Sequence, residues 1–225
     1  MGTSRRAFRM LASCCAWLAL VTSASAGGQR PGELHLDLNK WRVVKRESGP
    51  INYYTVVDDP VLPRVHALYR PPYRTAVLGY AIPDADRELA RGLRWQWRAL
   101  ALPAGGNECV PAKRDSAAVI YVTWRRGLRW YTLKYVWSAV GPKGATCDRI
   151  RNPLVAQDTV ILESGGPLGS WKTEELDLKS EFRKHFADGN PKADVPPLLG
   201  IGLMTDGDQT QSESSADYAA FNVAF

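Results

Sequence analysis

Residues 93–100, with the sequence Leu-Arg-Trp-Gln-Trp-Arg-Ala-Leu, constrain the fold most strongly. Apolar and polar side chains alternate along this stretch, which predicts a β-strand with one buried face and one polar face. The apolar set is Leu93, Trp95, Trp97 and Ala99, and the polar set is Arg94, Gln96 and Arg98. We expect the two tryptophans to lie in a core. The polar face is free either for a ligand or for ion pairs with adjacent strands.

Similar short segments, rich in β-branched and aromatic residues and separated by proline and glycine, fill most of the chain. Strands are predicted at residues 41–45, 51–58, 61–69, 75–82, 93–100, 116–124, 128–140, 159–163, 171–178, 199–203 and 221–225. Residues 141–157 are predicted to form a loop, and residues 179–186 a helix with Phe182 and Phe186 on one side. About ten short strands and one short helix predict an all-β jelly-roll β-sandwich. The pattern does not give the order of the strands in space.

The N-terminus carries the pattern of a signal peptide. Arg5, Arg6 and Arg9 precede the apolar residues 10–21 and the small residues 24–26, so we expect cleavage after Ala26 and a periplasmic or secreted protein. Residues 4–8 also fit a twin-arginine export signal. A lipoprotein site at Cys14 is the weaker alternative, because it would leave almost no apolar run before the cysteine.

After cleavage, residues 27–33 are expected to be a flexible lead-in and residues 34–225 a single domain. No later segment has the ~20 apolar residues that a membrane helix requires. Removal of the three leader arginines lowers the formal net charge from +6 to +3, which argues against a nucleic-acid partner. The sequence leaves the oligomeric state open.

Two cysteines remain after cleavage, Cys109 and Cys147. In an oxidising compartment a pair of cysteines favours a disulfide, and two buried thiols are the alternative.

Several segments together resemble one bacterial exported family, known as domain of unknown function 3047. They are residues 95–98, 115–118, 121–122, 133–138, 171–174, 201–210 and 217–218. The resemblance covers nearly all of residues 34–225 and implies an exported jelly-roll domain that is similar to carbohydrate-binding sandwiches. It implies no established activity. The chain departs from the more polar family pattern at Gly207, between two aspartates.

Local motifs of known enzyme classes are mostly absent from the sequence, and a Ser/His/Asp triad could form only from distant residues. The three histidines are scattered, and there is no His-Glu-x-x-His, Cys-x-x-Cys or Gly-x-Ser-x-Gly motif, so we assign no catalytic residue and expect no cofactor. Paired carboxylates could still hydrolyse a glycoside. The candidate pairs are Asp206 with Asp208 and Glu175 with Asp177. Each pair also has an ordinary structural explanation, in turn closure or a solvated strand face.

A structural Ca²⁺ site is the one metal site that the sequence suggests. Asp206, Asp208 and Thr210 cluster at the end of a predicted strand, and hard cations prefer carboxylate and hydroxyl oxygens. The spacing is not that of an EF-hand loop.

The sequence therefore favours a non-enzymatic binding domain for saccharides or cell-envelope glycans. Aromatic side chains beside polar groups can hold a sugar through stacking and hydrogen bonds. The predicted ligand-binding residues are Arg94, Gln96, Arg98, Trp124, Tyr135 and Trp137. The alternatives are a glycan hydrolase that uses paired carboxylates and a structural envelope protein that docks a protein partner.

Overall fold

The structure, a computed structural model, describes residues 32–46 and 53–225. The predicted leader, residues 27–31 of the lead-in and part of the second predicted strand lie outside this range. The strands within it are β1 (Glu33–His35), β2 (Arg42–Arg46), β3 (Tyr54–Val57), β4 (Arg64–Tyr69), β5 (Ala76–Ala81), β6 (Gly92–Ala101), β7 (Ser116–Arg126), β8 (Arg129–Ser138), β9 (Thr146–Arg151), β10 (Val155–Ser164), β11 (Lys172–Asp177), β12 (Leu198–Met204) and β13 (Ser214–Ala224). One α-helix, α1 (Leu178–Phe186), lies between β11 and β12.

The strands form two sheets. One has six strands in the order β11-β6-β13-β4-β3, with β1 also paired to β13. The other has seven strands in the order β2-β5-β12-β7-β8-β10-β9. Among the described strands, β8 and β10 are parallel and the other pairs are antiparallel. The two sheets and the single helix confirm the predicted jelly-roll β-sandwich.

The core between the sheets is aromatic. Trp95 and Trp97 of β6 are fully buried, and their ring centroids lie 5.6 Å apart. From the opposite sheet, the Trp137 ring of β8 lies 5.9 Å from that of Trp97. The tryptophans of residues 93–100 are therefore buried as the alternation predicts, because odd-numbered residues of β6 face the second sheet.

Helix α1 closes one part of this core. The side chain of Asp177 caps its N-terminus by accepting a hydrogen bond from the backbone N–H of Ser180, at 2.6 Å. Phe182 is buried and packs 5.5 Å from Trp124 and 5.1 Å from Tyr131, measured between ring centroids. The helix matches its predicted position to within one residue.

Two elements differ from the sequence-based expectation. Residues 141–157 are not all loop, since they contain β9 and the first residues of β10. Strand β9 lies at the edge of its sheet and carries polar side chains on both faces, so it lacks the apolar alternation that marks the other strands. Glu33 belongs to β1 and pairs with Ala224, rather than to the lead-in.

Candidate functional site

A groove crosses the outer face of the seven-stranded sheet, the face that points away from the core. It has a volume of about 820 Å³ and is lined by residues of seven strands, β2, β5, β7, β8, β9, β10 and β12. Pockets that bind small molecules have volumes of this order. Because the groove runs across the strands, its floor is built from residues that are neighbours in the sheet register.

Two cross-strand rows form this floor. The first row is Gly202, Tyr121, Lys134 and Thr159, and the second is Gly200, Thr123, Thr132 and Gln157. Trp130 follows at the outer end of β8 with 39% of its surface exposed, and the guanidinium of Arg125 lies 5.0 Å from its ring centroid. The floor thus combines aromatic rings with hydroxyl and amide groups.

Glycine makes room on the β12 side of the floor. A Cβ atom added at Gly202 would lie 3.2 Å from the Cβ of Tyr121 and 3.3 Å from a methyl carbon of Val77. A side chain there would therefore crowd Tyr121 and fill part of the groove.

A buried ion pair lies under the floor. The Nζ of Lys134 donates to both carboxylate oxygens of Glu108, at 2.9 and 3.0 Å, and the Ser116 hydroxyl donates to the same carboxylate at 2.7 Å. Burial alone would lower the pKa of Lys134, but the carboxylate of Glu108 outweighs this effect, so the pKa is raised and the lysine stays charged. The pair as a whole is neutral, and its ammonium group lies beside the groove.

Three carboxylates gather at one end of the groove. Oxygen atoms of Asp115, Asp206 and Asp208 lie within 4.8 Å of one another. The Thr75 hydroxyl lies 3.1 Å from Asp206 Oδ1 and 2.7 Å from Asp208 Oδ2. A hydroxyl has one proton to donate, so it can serve only one of these two carboxylates at a time.

Asp206 has an unusual charge state for an aspartate. Burial raises its pKa to about 7, and the nearby carboxylates of Asp208 and Asp115 add to the rise. At neutral pH a large fraction of Asp206 is therefore protonated. The groove end thus holds an aspartate that takes up a proton near neutral pH, close to the carboxylate of Asp208.

The three predicted metal ligands do not all lie together. Asp206 and Asp208 lie together, but Thr210 uses both its hydroxyl and its backbone N–H to donate to Asp115, each at 2.6 Å. Calcium binding at this cluster remains a prediction.

Gly207 is required by packing, because a Cβ there would collide with the backbone carbonyl of Ser212 and the ring of Tyr69.

The predicted disulfide is confirmed, and it lies beside the groove. Cys109 and Cys147 are bonded across 38 residues of sequence. Their neighbours in sequence, Glu108 and Asp148, pair with Lys134 and with Arg114, respectively. The bond thus ties the loop that holds Glu108 to strand β9, and both carry charged groups of the groove.

An apolar cluster on this sheet face adjoins the groove. Ala145 and Cys147 pack on this cluster, which is formed by Val77, Val119, Val136, Ile161 and Met204. Val77 and Met204 also line the groove.

Three predicted ligand-binding residues lie on the other sheet. Arg98 is engaged within the protein, since its guanidinium is 2.6 Å from Asp217 and stacks 4.7 Å from the Trp171 ring centroid. The side-chain amide of Gln96 donates to Thr173 at 3.1 Å. Arg94 is exposed and has no carboxylate within 4.0 Å among the described residues. None of the three lines the groove.

The other three predicted ligand-binding residues are Trp124, Tyr135 and Trp137. Their side chains lie in the core, so the prediction that they contact a ligand is corrected. Each is at most 1% exposed, because odd-numbered residues of β8 and even-numbered residues near the end of β7 face the core. A ligand on the protein surface cannot contact them.

The second carboxylate pair does not form a site. Glu175 lies opposite Arg94 in the six-stranded sheet, and Asp177 caps α1.

The sequence-based interpretation missed the floor residues of the groove, although the signal was available. In β8, Trp130, Thr132 and Lys134 alternate with the core-facing set, and only the structure decides which set faces outward. The partners in β7 and β10 follow from strand register, which the sequence does not give.

No helix in residues 32–46 or 53–225 is long and apolar enough to cross a membrane.

Comparison with solved structures finds similar sandwiches at low sequence identity. One is a family 11 carbohydrate-binding module from Clostridium thermocellum in complex with a mixed-linked tetrasaccharide, with 12% identity and a TM-score of 0.46 over 86% of this chain and 95% of that one. Another is the xyloglucanase domain of NopAA from Sinorhizobium fredii in complex with cellobiose, with 13% identity and a TM-score of 0.43 over 88% and 95%. A third is endoglucanase 3 of family GH12 from Trichoderma harzianum, with 11% identity and a TM-score of 0.42 over 90% and 99%.

No curated protein matches the chain significantly. One family model does, and it spans most of the chain, from residue 40 to residue 222, across both sheets and the groove. The chain therefore belongs to the family described as "Protein of unknown function (DUF3047)".

Proposed function

We propose that the groove on the seven-stranded sheet binds a saccharide chain that lies across the strands. One observation carries the proposal: an open groove of about 820 Å³ whose floor presents aromatic rings and polar side chains together. The six-stranded sheet, where the sequence had placed the binding surface, has its most prominent polar groups paired with one another.

The chemistry of the floor suits a sugar. Sugar rings have apolar C–H faces that pack on aromatic side chains, and hydroxyl groups that need donors and acceptors. Trp130 and Tyr121 supply the rings, while Thr132 and Gln157 supply hydroxyl and amide groups. Among the described residues, the Gln157 side chain has no hydrogen-bond partner and is available to a ligand.

Export is part of the same proposal. The disulfide and the lack of a membrane-crossing helix among the described residues are compatible with an exported protein. An exported saccharide-binding domain would meet cell-envelope or environmental glycans.

A glycan-array screen of the purified protein tests the proposal. We expect retention on at least one oligosaccharide, and Trp130→Ala should weaken it about tenfold, as the loss of one ring-stacking contact does. Trp171→Ala is the matched control, since this tryptophan is half-buried on the other sheet and should leave retention unchanged. Failure of every glycan to bind, or loss of binding only in Trp171→Ala, would overturn the assignment.

Hydrolysis of the bound saccharide is a second candidate, favoured by the acidic end of the groove. Asp206, whose pKa is raised to about 7, lies close to the carboxylate of Asp208, and acid–base cleavage of a glycoside uses two neighbouring carboxyl groups. Each retained oligosaccharide should be incubated with the protein between about pH 4 and pH 8, a range that spans both charge states of Asp206. Product that disappears in Asp208→Asn while retention persists would identify a hydrolase. Intact oligosaccharide throughout would limit the groove to binding.

A further inference from the structure

A second pocket, of about 470 Å³, lies on the opposite side of β9 from the groove, between the edge of the sandwich and the C-terminal end of α1. Its charged lining residues are Arg129, Arg149, Arg151, Lys184, Asp158 and Asp188. Four permanent cations thus face two carboxylates. The floor between Arg129 and Arg151 contains Ala156, whose small side chain leaves the space open.

Two of these charges satisfy each other. Asp158 is buried, and its carboxylate lies 2.7 Å from Nη2 of Arg151 and 2.8 Å from Nδ1 of His185. Arg151 also donates to the backbone carbonyls of Ile150, Gln157 and His185. Arg151 therefore has little capacity left for a ligand, while Asp158 is a buried carboxylate whose Oδ1 lies beside Arg151 without a hydrogen bond.

Arg129 is in the opposite situation. Its guanidinium lies 5.2 Å from the ring centroid of Tyr131, and its Nε–H is buried without a hydrogen-bond acceptor among the described residues. A buried donor without an acceptor costs free energy, so such groups are rare in folded proteins. The Nη groups of the same guanidinium are not buried and have no acceptor among the described residues, so an acceptor from outside the chain can reach them in the pocket.

The surrounding charges define the chemistry of that acceptor. Arg149 and Arg129 have no carboxylate within 4.0 Å among the described residues, while Lys184 is only 3.6 Å from Glu181. Arginine guanidinium groups bind carboxylate, sulfate and phosphate oxygens through paired N–H donors. We propose that this pocket is a binding site for an oxyanion, with the guanidinium of Arg129 as one donor and Arg149 as the second cation. The site is separate from the groove and does not depend on the function proposed for it.

The Nε–H resonance of Arg129 reports on the site directly. Inorganic phosphate, sulfate and glucuronate should each be titrated into the protein at low ionic strength, with the arginine Nε–H signals followed by NMR. We expect the Arg129 signal to shift and saturate with at least one anion, with a Kd in the millimolar range or tighter. Glucuronate binding would indicate an acidic sugar as the source, and binding of phosphate or sulfate alone would indicate a phosphate- or sulfate-bearing group.

Charge variants separate a site from general attraction. Arg149→Gln should weaken binding about tenfold, and Asp188→Asn should strengthen it, because Asp188 is an exposed carboxylate at the rim. Arg94→Gln is the matched control, since it removes one positive charge from the other sheet. An equal effect of Arg94→Gln and Arg149→Gln, or no saturable shift of Arg129 with any of the three anions, would overturn the proposal. Trp130→Ala should leave anion binding intact.

Discussion

The polar faces of the two sheets differ in how their charged groups are satisfied. On the six-stranded sheet, Asp217 is almost completely buried beneath Arg98, Arg64 and His66, with the closest atoms 2.6, 3.5 and 2.7 Å away. On the seven-stranded sheet, the ion pair of Lys134 and Glu108 lies under a groove whose aromatic, hydroxyl and amide groups remain open. An alternating strand can therefore present polar residues for internal pairing or for a ligand, and the pattern alone does not distinguish the two.

The largest effect is expected at the buried ion pair under the groove. Lys134→Met should destabilise the protein by about 4 kcal/mol, because Glu108 would keep a buried charge without its partner. The double variant Lys134→Met, Glu108→Leu should recover most of that loss. Denaturant unfolding measures both. A single variant within about 1 kcal/mol of the native protein would mean that the pair is not buried as described.

Loss of the disulfide should follow in size. Cys109→Ser with Cys147→Ser is expected to cost up to about 4 kcal/mol, since the bond restricts the unfolded chain over 38 residues. Thermal and denaturant unfolding of the double variant, compared with the native protein with and without reductant, measures the loss. Reductant should have no effect on the variant, and unchanged stability would show that the bond does not clamp the loops.

Disruption of the ion-pair network around Asp217, on the six-stranded sheet, should cause a smaller loss of stability. Arg98→Met is expected to cost about 2 kcal/mol, because Asp217 loses a charge-assisted hydrogen bond but keeps His66 and Arg64. Arg94→Met, the exposed neighbour on the same face, should change the free energy of unfolding by less than about 0.5 kcal/mol. Equal losses for the two variants would show that Arg98 has no special structural role.

The remaining expected change is in the pH dependence of stability, at Asp206. Its pKa in the folded protein, about 7, is above its usual value of 3.8, so the folded state holds the extra proton between these pH values. Stability due to this group therefore falls as the pH rises from about 4 to above 7. Asp206→Asn should remove that contribution. Unfolding free energies of both proteins across this range should converge at low pH and diverge in favour of the variant above pH 7, and parallel curves would contradict the assignment.

Sequence reasoning succeeded where burial leaves a periodic signal. The strand at residues 93–100, the helix with Phe182 and Phe186, and the two-sheet sandwich all follow from alternation or helical spacing. The disulfide followed from a count of two cysteines.

It failed where the answer depends on contacts between distant residues. Tyr121, Trp130 and Gln157 meet only because β7, β8 and β10 are neighbours, and β8 and β10 pair in parallel, across a loop and an edge strand. Arg98 looked available because its partner, Asp217, is 119 residues away in sequence. Both arrangements are set by strand order.

Backbone NMR of the isotope-labelled protein with a glycan retained on the array tests the central claim most directly. If the groove is the binding site, addition of the glycan should shift the amide signals of Thr123, Thr132 and Gln157, together with the indole N–H of Trp130. The amides of β6 and β11, including Arg94 and Gln96, should not move. Shifts confined to β6 and β11 would contradict the account and return the binding surface to the six-stranded sheet.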